Sequence, residues 1–398
     1  MSRFFKIALA TAFAGGGFAM AAGPITTVPW NGHVGAVSFT FDDGMQNQID
    51  NLKPILDKMP DVTVTFFIPG FSSVWQNNPN DLAALAQAGH EIGNHSLSHP
   101  TLTGLSADSL TKEIVNFAES LEKGIPAPKI TAFATPFCAN SDDVTAVIKQ
   151  KHFINRDCGD WAYRNGWNKE PNWFKFPALT WLRSSKKPED ITVALDTCIG
   201  NADFSGLPSW ESPPGPEGEW MVVLNHGVAQ DNDDYAIDPA DIKKIIQHAR
   251  DNKMWVASFS TIGAYYMAHF TLDAVSEALG ESANIDAGIK LDWKLPSENM
   301  PESIPLKVKL GDPLTAVKGK IVMDQGDKAI WPDSSGHYTI EFTKLSLKVR
   351  LATAEEIENH GNNTTALKRA NQLNKKPRSS GPHGTFDLMG RRVKNEKR

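Results

Sequence analysis

The run Ala36-Val37-Ser38-Phe39-Thr40-Phe41 ends abruptly on Asp42-Asp43-Gly44. An apolar stretch of that length reads as a buried strand, and two adjacent carboxylates at its end lie where the chain leaves the core. Gly44 lets the chain turn sharply there. Similar short apolar runs recur at Val62–Ile68, Glu91–His95, Ile130–Ala134, His152–Arg156, Trp220–Asn225 and Met254–Phe259. Helical patterns lie between them, near Gln46–Lys58, Asp81–Ala88, Ala107–Glu122, Asp142–Lys151 and Pro239–Asn252. Strands alternating with helices predict an α/β fold on a parallel sheet, open or closed into a barrel. In such a sheet the reactive side chains gather at the C-terminal strand ends. Asp42, Asp43, His95 and His226 all fall at such ends.

Composition places the rest. The chain has 398 residues, 41 % hydrophobic and 22 % charged, which suits a large globular domain and a smaller one. Residues 1–22 differ: Arg3 and Lys6 precede an apolar stretch, Ile7–Met20, and Ala19-Met20-Ala21 fits a cleavage site. This reads as a signal peptide, too short to span a membrane, and predicts a secreted, periplasmic or cell-surface protein. Ten Lys/Arg against Asp387 and Glu396 follow His360, whereas the whole chain carries −6, so the body is acidic. An acidic body argues against nucleic acid as a partner, and the basic tail suits an anionic surface or polymer. Cys138, Cys158 and Cys198 are an odd set, compatible with one bridge and one thiol or with no bridge; a bridge from Cys198 to either of the others would pin the long insertion described next.

Asp157–Glu219 breaks the strand–helix rhythm and carries Trp161, Trp167, Trp173, Trp181 and Trp210. Indoles on a loop either stack on sugar rings or pack the loop onto the body. From about Ser282 the chain turns to short strand-like runs between Gly, Pro and Asp turns: Ile304–Leu310, Val317–Met323, Tyr338–Phe342 and Leu345–Leu351. These predict a small β-sandwich add-on. The expected organisation is a signal peptide at 1–22, a main domain at 23–275, a β-module at 282–352, and a linker with a basic tail at 353–398.

Asp-Asp-Gly alone is a common turn, and a His-x-x-x-His pair alone is most often not a metal site. Together, each at the end of an apolar run, Asp42-Asp43 and His95/His99 offer one carboxylate and two imidazoles for a borderline metal such as zinc, plus a spare carboxylate to act as a base. Asp231-Asn232-Asp233-Asp234 lacks EF-hand spacing and reads as a solvated loop.

These motifs resemble the polysaccharide deacetylases, the NodB-homology family or carbohydrate esterase family 4, over roughly residues 30–268. The resemblance implies a distorted (β/α) barrel and a secreted metal-dependent hydrolase of N-acetyl or O-acetyl groups on carbohydrate polymers. It makes Asp42 the base and Asp43, His95 and His99 the ligands of a divalent metal, zinc first, with cobalt or another transition metal as alternatives. Asp157-Cys158-Gly159-Asp160-Trp161 looks like the motif whose Asp supports the catalytic acid and whose Trp walls the acetyl pocket. Leu224-Asn225-His226 looks like the motif of the acid, so His226 gives the proton and Leu224 lines the pocket. The backbone N–H of Phe137 is then an oxyanion donor. One motif departs: the family commonly shows Arg-x-Pro-Tyr or Phe where this chain has Ala134-Thr135-Pro136-Phe137, which removes the arginine that braces the base. Arg156, beside the next motif, is the candidate replacement.

The tail segment Thr385–Val393 resembles basic terminal segments of some secreted bacterial enzymes that degrade plant cell walls. That tilts the substrate towards acetylated xylan. Two alternatives follow: an acetylxylan esterase, and a non-catalytic glycan-binding protein on a weakened deacetylase scaffold.

Overall fold

The computed structural model describes residues 23–126, 129–158, 164–202, 213–231, 233–280 and 283–361. The expected signal peptide, Trp161, Trp210 and the basic tail from 362 onward lie outside them.

The apolar runs become strands. They are β1 (Ile25–Thr27), β2 (Ala36–Phe41), β3 (Thr65–Ile68), β4 (Glu91–Asn94), β5 (Ala132–Ala134), β6 (Ile154–Arg156), β7 (Arg164–Gly166), β8 (Leu179–Thr180), β9 (Glu219–Asn225) and β10 (Trp255–Val256). The main sheet runs β6-β5-β4-β3-β2-β9, all parallel, with β7 antiparallel on β9. β2 is buried along its whole length, as a strand covered on both faces must be. β10 pairs with the start of β2, and β8 with the end of β9.

The sheet is curled. Phe176 bridges Arg156 at the β6 edge, and three residues later β8 pairs with β9, so residues 176–180 touch both sides of its opening. The barrel expected from the sequence is thus a curled, mostly parallel sheet with an irregular segment across its mouth.

Helices cover it for ordinary reasons. Asp238 caps the helix Pro239–Asp251 by accepting from the Ala240 N–H at 2.8 Å, and Pro239 sits where no amide bond is lost. Ile242, Ile245, Ile246 and Ala249 form its buried stripe, while His248 and Arg250 lie in the last turn, where the helix dipole favours cations. The 21-residue helix Phe259–Leu279 is apolar on most sides and is buried accordingly. No described helix is long and apolar enough to cross a membrane.

The insertion tryptophans of the described residues are packing groups. Trp181 is buried, with its indole N–H donating to the Ala236 carbonyl at 3.2 Å. Trp167 stacks on His269 at 3.9 Å, and Trp173 meets Tyr266 edge-on at 5.5 Å.

Beyond the long helix come β11 (Ile289–Asp292), β12 (Pro305–Leu310), β13 (Ile321–Gln325), β14 (Lys328–Ile330), β15 (Tyr338–Glu341) and β16 (Ser346–Leu351). They form two antiparallel sheets, β1-β12-β15 and β11-β16-β13-β14. The first recruits β1 from the other end of the chain, and one apolar core runs from Trp30, Phe67 and Trp220 to Leu306 and Val349.

The cysteine expectation is corrected. The bridge joins Cys138 to Cys158, and Cys198 is a buried free thiol. Cys138 and Cys158 follow the neighbouring strands β5 and β6, which brings their Cα atoms to 5.4 Å. Cys198 ends the helix Pro188–Cys198 and is packed inward among core residues, where burial pushes its thiol well up from the ordinary value.

Candidate active site

Register aligns the reactive residues. Phe41 pairs with Asn225, so Asp42 and His226 are the next residues of adjacent strands. Asn94 pairs with Phe133 and Ala134 with Arg156, which puts His95, the Pro136 turn and Arg156 on the same rim.

Hydrogen bonds fix that rim. The Asp42 N–H donates to the Asn225 carbonyl at 2.9 Å. Buried Gln48 donates from Nε2 to the carbonyls of both Asp42 and His226, at 2.6 and 2.9 Å. Gly44 has φ +53°, and a Cβ there would meet Ser72 Oγ at 2.6 Å, the atom that donates to the Gly44 carbonyl. Glycine is required on both counts.

Residues 95–99 form a folded turn. The Ser96 N–H donates to Asn94 Oδ1 and the His99 N–H to Ser96 Oγ, at 2.9 and 3.0 Å. The turn brings the two Nε2 atoms to 3.2 Å. His95 Nδ1 lies 2.8 Å from the Ala134 carbonyl, which can only accept, so Nδ1 carries the proton and Nε2 presents its lone pair. Burial lowers the His95 pKa to about 4 and lowers that of His99 as well, which keeps both imidazoles neutral.

Asp43 Oδ1 stands 4.0 Å from His95 Nε2 and 3.9 Å from His99 Nε2, and it is buried with no hydrogen-bond partner. Burial, and then the charge of Asp42, push the Asp43 carboxyl up to about 6. A point equidistant from these three atoms lies about 2.2 Å from each, within the span of zinc–nitrogen and zinc–oxygen bonds. Two neutral imidazoles and an orphaned carboxylate oxygen at that spacing fit a divalent transition metal.

Asp42 lies beside that set, its Oδ2 3.5 Å from His95 Nε2, but it has a partner of its own. Its Oδ2 accepts from Arg156 Nη2, and both side chains are buried. Burial pushes the Asp42 carboxyl up, but Arg156, then His95 and His226, outweigh it and hold the group below its usual range. The Arg156 guanidinium lies 5.3 Å from the Phe67 ring centre, a cation–π contact that fixes its plane.

A cavity of about 510 Å³ opens on these groups. Leu224 and Phe137 are among its walls; Leu224 is buried, whereas Phe137 is 65 % exposed and sets its ring edge-on to His99 at 4.6 Å. His226 lies edge-on to Tyr235 at 4.9 Å, with Nδ1 buried and unpartnered. Asp157 is not joined to His226 by any hydrogen bond or ion pair among the described residues. Its Oδ1 accepts from the Cys158 N–H at 2.9 Å, and burial raises its pKa. The Asp157 N–H is tied to the Phe176 carbonyl at 2.8 Å, which directs this segment towards the insertion. Trp161 lies outside the described residues.

The acidic loop is not merely solvated. Asp233 and Tyr235 line the cavity, and Arg183 clamps the loop by donating from Nη2 to the Ala236 carbonyl at 2.8 Å. Sequence reasoning also passed over Gln48, whose single signal is a polar residue six positions after Asp42.

Residues 31–154 match the polysaccharide deacetylase family model. A peptidoglycan-N-acetylmuramic acid deacetylase, PdaC of Bacillus subtilis (strain 168), is 33 % identical over 132 residues, 32 % of this chain and 27 % of the relative. The chain therefore spans about a quarter of that relative's length. A chitooligosaccharide deacetylase of Sinorhizobium fredii (strain NBRC 101917 / NGR234) is 28 % identical over 193 residues, 46 % of this chain and 83 % of the relative. Among solved structures, a family 4 acetyl xylan esterase from Clostridium thermocellum in complex with a cobalt ion aligns at TM-score 0.38 and 20 % identity, covering 56 % of this chain and 88 % of that one. Over residues 31–154 the chain is thus similar to the polysaccharide deacetylases, the NodB-homology or carbohydrate esterase family 4 group.

Proposed function

We propose that the protein is an exported, metal-dependent deacetylase that hydrolyses N-acetyl groups on a carbohydrate polymer. The observation that carries this reading is the division of labour between adjacent carboxylates. Asp42 is ionised against Arg156, while Asp43 turns an unpartnered oxygen towards two neutral imidazoles. A base and a metal ligand need those two different environments. The peptidoglycan and chitooligosaccharide deacetylases among the relatives support the N-acetyl substrate. A disulfide and a basic-then-apolar leader support export.

Asp43, His95 and His99 would hold the metal. Bound there, it would polarise the acetyl carbonyl and bring the pKa of a bound water towards ~7. Asp42 is placed to accept a proton from an attacking water, and Arg156 keeps its carboxylate ionised and aimed. The Phe137 N–H donates to the oxygen on which charge develops. His226, next to Asn225 at the end of β9, gives its proton to the departing amine. Leu224 presents an apolar wall to the acetyl methyl. Asp157 acts at one remove in this scheme, through the Cys158 segment.

The test is acetate release from partly acetylated chitin and acetylated xylan, side by side, by zinc-loaded wild type and Asp42→Ala. Release from chitin by wild type alone supports the reading. Release from xylan alone makes the protein an O-acetyl esterase. Silence on both with metal bound, together with retained glycan affinity, makes it a binding protein.

A further inference from the structure

Strands β5 and β6 run side by side, and their hydrogen bonding carries one residue past β5. The Thr135 N–H donates to the Arg156 carbonyl at 3.1 Å, and Thr135 Oγ1 donates to Asn155 Oδ1 at 3.0 Å. Beyond Thr135 that support ends. Phe137 and Cys138 sit consecutively in left-handed backbone, at φ 54° and 56°, a conformation that residues with a Cβ avoid. The backbone hydrogen bonds of this turn are local: Cys138 N–H to the Thr135 carbonyl at 3.2 Å, and Ala139 N–H to that of Pro136 at 3.1 Å. Burial does not hold the tip either, since Phe137 is 65 % exposed.

Cys158 is better fixed. Its N–H donates to Asp157 Oδ1, the Asp157 N–H donates to the Phe176 carbonyl, and its side chain packs against the main core. Both cysteines line the catalytic cavity. A bridge serving general stability has no need to stand there.

We propose that the Cys138–Cys158 disulfide is a positioning element of the catalytic centre. It ties the strained Phe137 turn to the strand end that carries Arg156, and so sets the Phe137 N–H and ring relative to His99 and the base. The inference rests on the deacetylase reading above. Misplacing a donor by about an ångström weakens its hold on the developing charge more than its hold on bound substrate.

The experiment compares the oxidised full chain, the same protein reduced by a water-soluble phosphine, and Cys138→Ser/Cys158→Ser. In the reduction, the disulfide takes up two electrons and two protons to give two thiols, and the phosphine becomes its oxide with oxygen from water. The reagent is removed, and folding is checked by near-ultraviolet circular dichroism. Three quantities are read: kcat and KM for acetate release from partly acetylated chitin, zinc per chain, and amide hydrogen exchange of peptides covering 135–140. Loss of the bridge is expected to lower kcat about tenfold or more with KM and zinc content little changed, and to speed exchange in that peptide selectively. Reoxidation restores both in wild type and not in the serine variant. Folded, reduced protein with unchanged kcat and unchanged exchange at 135–140 overturns the proposal. If zinc-loaded, oxidised protein releases no acetate, the deacetylase reading fails; selective loosening of 135–140 still supports the tie, and its absence removes that too.

Discussion

Arg156, the last residue of β6, donates from Nη2 to Asp42 Oδ2, one residue past β2, across a distance of 114 positions in the chain. Both are buried, so the pair is a commitment: removing one partner strands the other's charge, at a cost of about 3–5 kcal/mol. Arg156→Ala is therefore expected to lower the thermal midpoint and to cut kcat by about 10²-fold, because the base loses both its aim and the charge that keeps it ionised. The acid limb of the pH–rate profile should move to higher pH, since Arg156 is the largest of the charges that oppose burial at Asp42. Arg156→Lys should recover part of the ionisation and little of the aim. A profile of kcat/KM against pH for the three proteins checks this; unchanged activity in Arg156→Ala would show that the brace is idle.

The adjacent carboxylates predict separable losses. Asp43→Ala removes the carboxylate oxygen that lies within 4.0 Å of both imidazoles and should reduce zinc per chain along with activity. Asp42→Ala should leave the zinc content near that of wild type while lowering kcat by at least about 10²-fold. Metal analysis of dialysed protein beside acetate release separates them. Equal zinc loss in both variants would make Asp42 a ligand.

Much of this candidate site could be read before the fold was known, because polar side chains placed at strand ends leave a local trace. A carboxylate pair closing an apolar run and two histidines closing another mark their positions by pattern alone, and parallel register then does the rest. What was not legible depended on contacts across the chain. The Cys138–Cys158 bridge follows from β5 and β6 being neighbours, and three cysteines cannot announce that. Tyr235 and Asp233 face the cavity because Arg183 clamps their loop from 53 residues away, so their polar surroundings in sequence suggested solvent. The small C-terminal strands were visible, but the recruitment of Ile25–Thr27 into their sheet was not, since pairing partners carry no mark of each other. The insertion tryptophans illustrate the converse: indoles suited to sugar stacking are spent on packing where the described chain can be followed.

Gln48 offers a test of how the base and acid are held together. Its amide group serves two carbonyls at once, the buried one of Asp42 and the part-buried one of His226. Gln48→Leu keeps the volume and leaves both acceptors without this donor, a cost of about 1–3 kcal/mol for each buried group left unsatisfied. The expected outcome is a lower thermal midpoint and a kcat reduced by about tenfold with KM nearly unchanged, since the substrate itself loses no contact. Gln48→Glu is expected to be worse, because it sets an acceptor, not a donor, against two carbonyls. Steady-state kinetics with thermal melts of the three proteins check it.

His152 makes acid sensitivity predictable away from the catalytic chemistry. It is fully buried, its Nε2 is 3.3 Å from Asn94 Nδ2, and Asn94 in turn donates to the Ile114 carbonyl at 2.8 Å. An amide nitrogen can only donate, so Nε2 is the acceptor and the folded protein holds the neutral ring. Burial lowers its pKa to about 3, and His90, buried just before β4, falls to about 4 in the same way. The unfolded chain takes up these protons at an ordinary histidine pKa of about 6.5, whereas the folded chain resists until much lower pH. Between those values the unfolded state binds more protons, so stability is full above about pH 6.5 and falls steadily as the pH drops towards 4. Thermal midpoints of metal-free protein at a series of pH values should trace that decline. His152→Gln, which cannot take up the proton in either state, should melt lower at pH 7.5 for loss of packing and yet show a shallower fall between pH 6.5 and 4. An equal slope in the two proteins would mean that His152 is not among the groups that make the fold acid-labile.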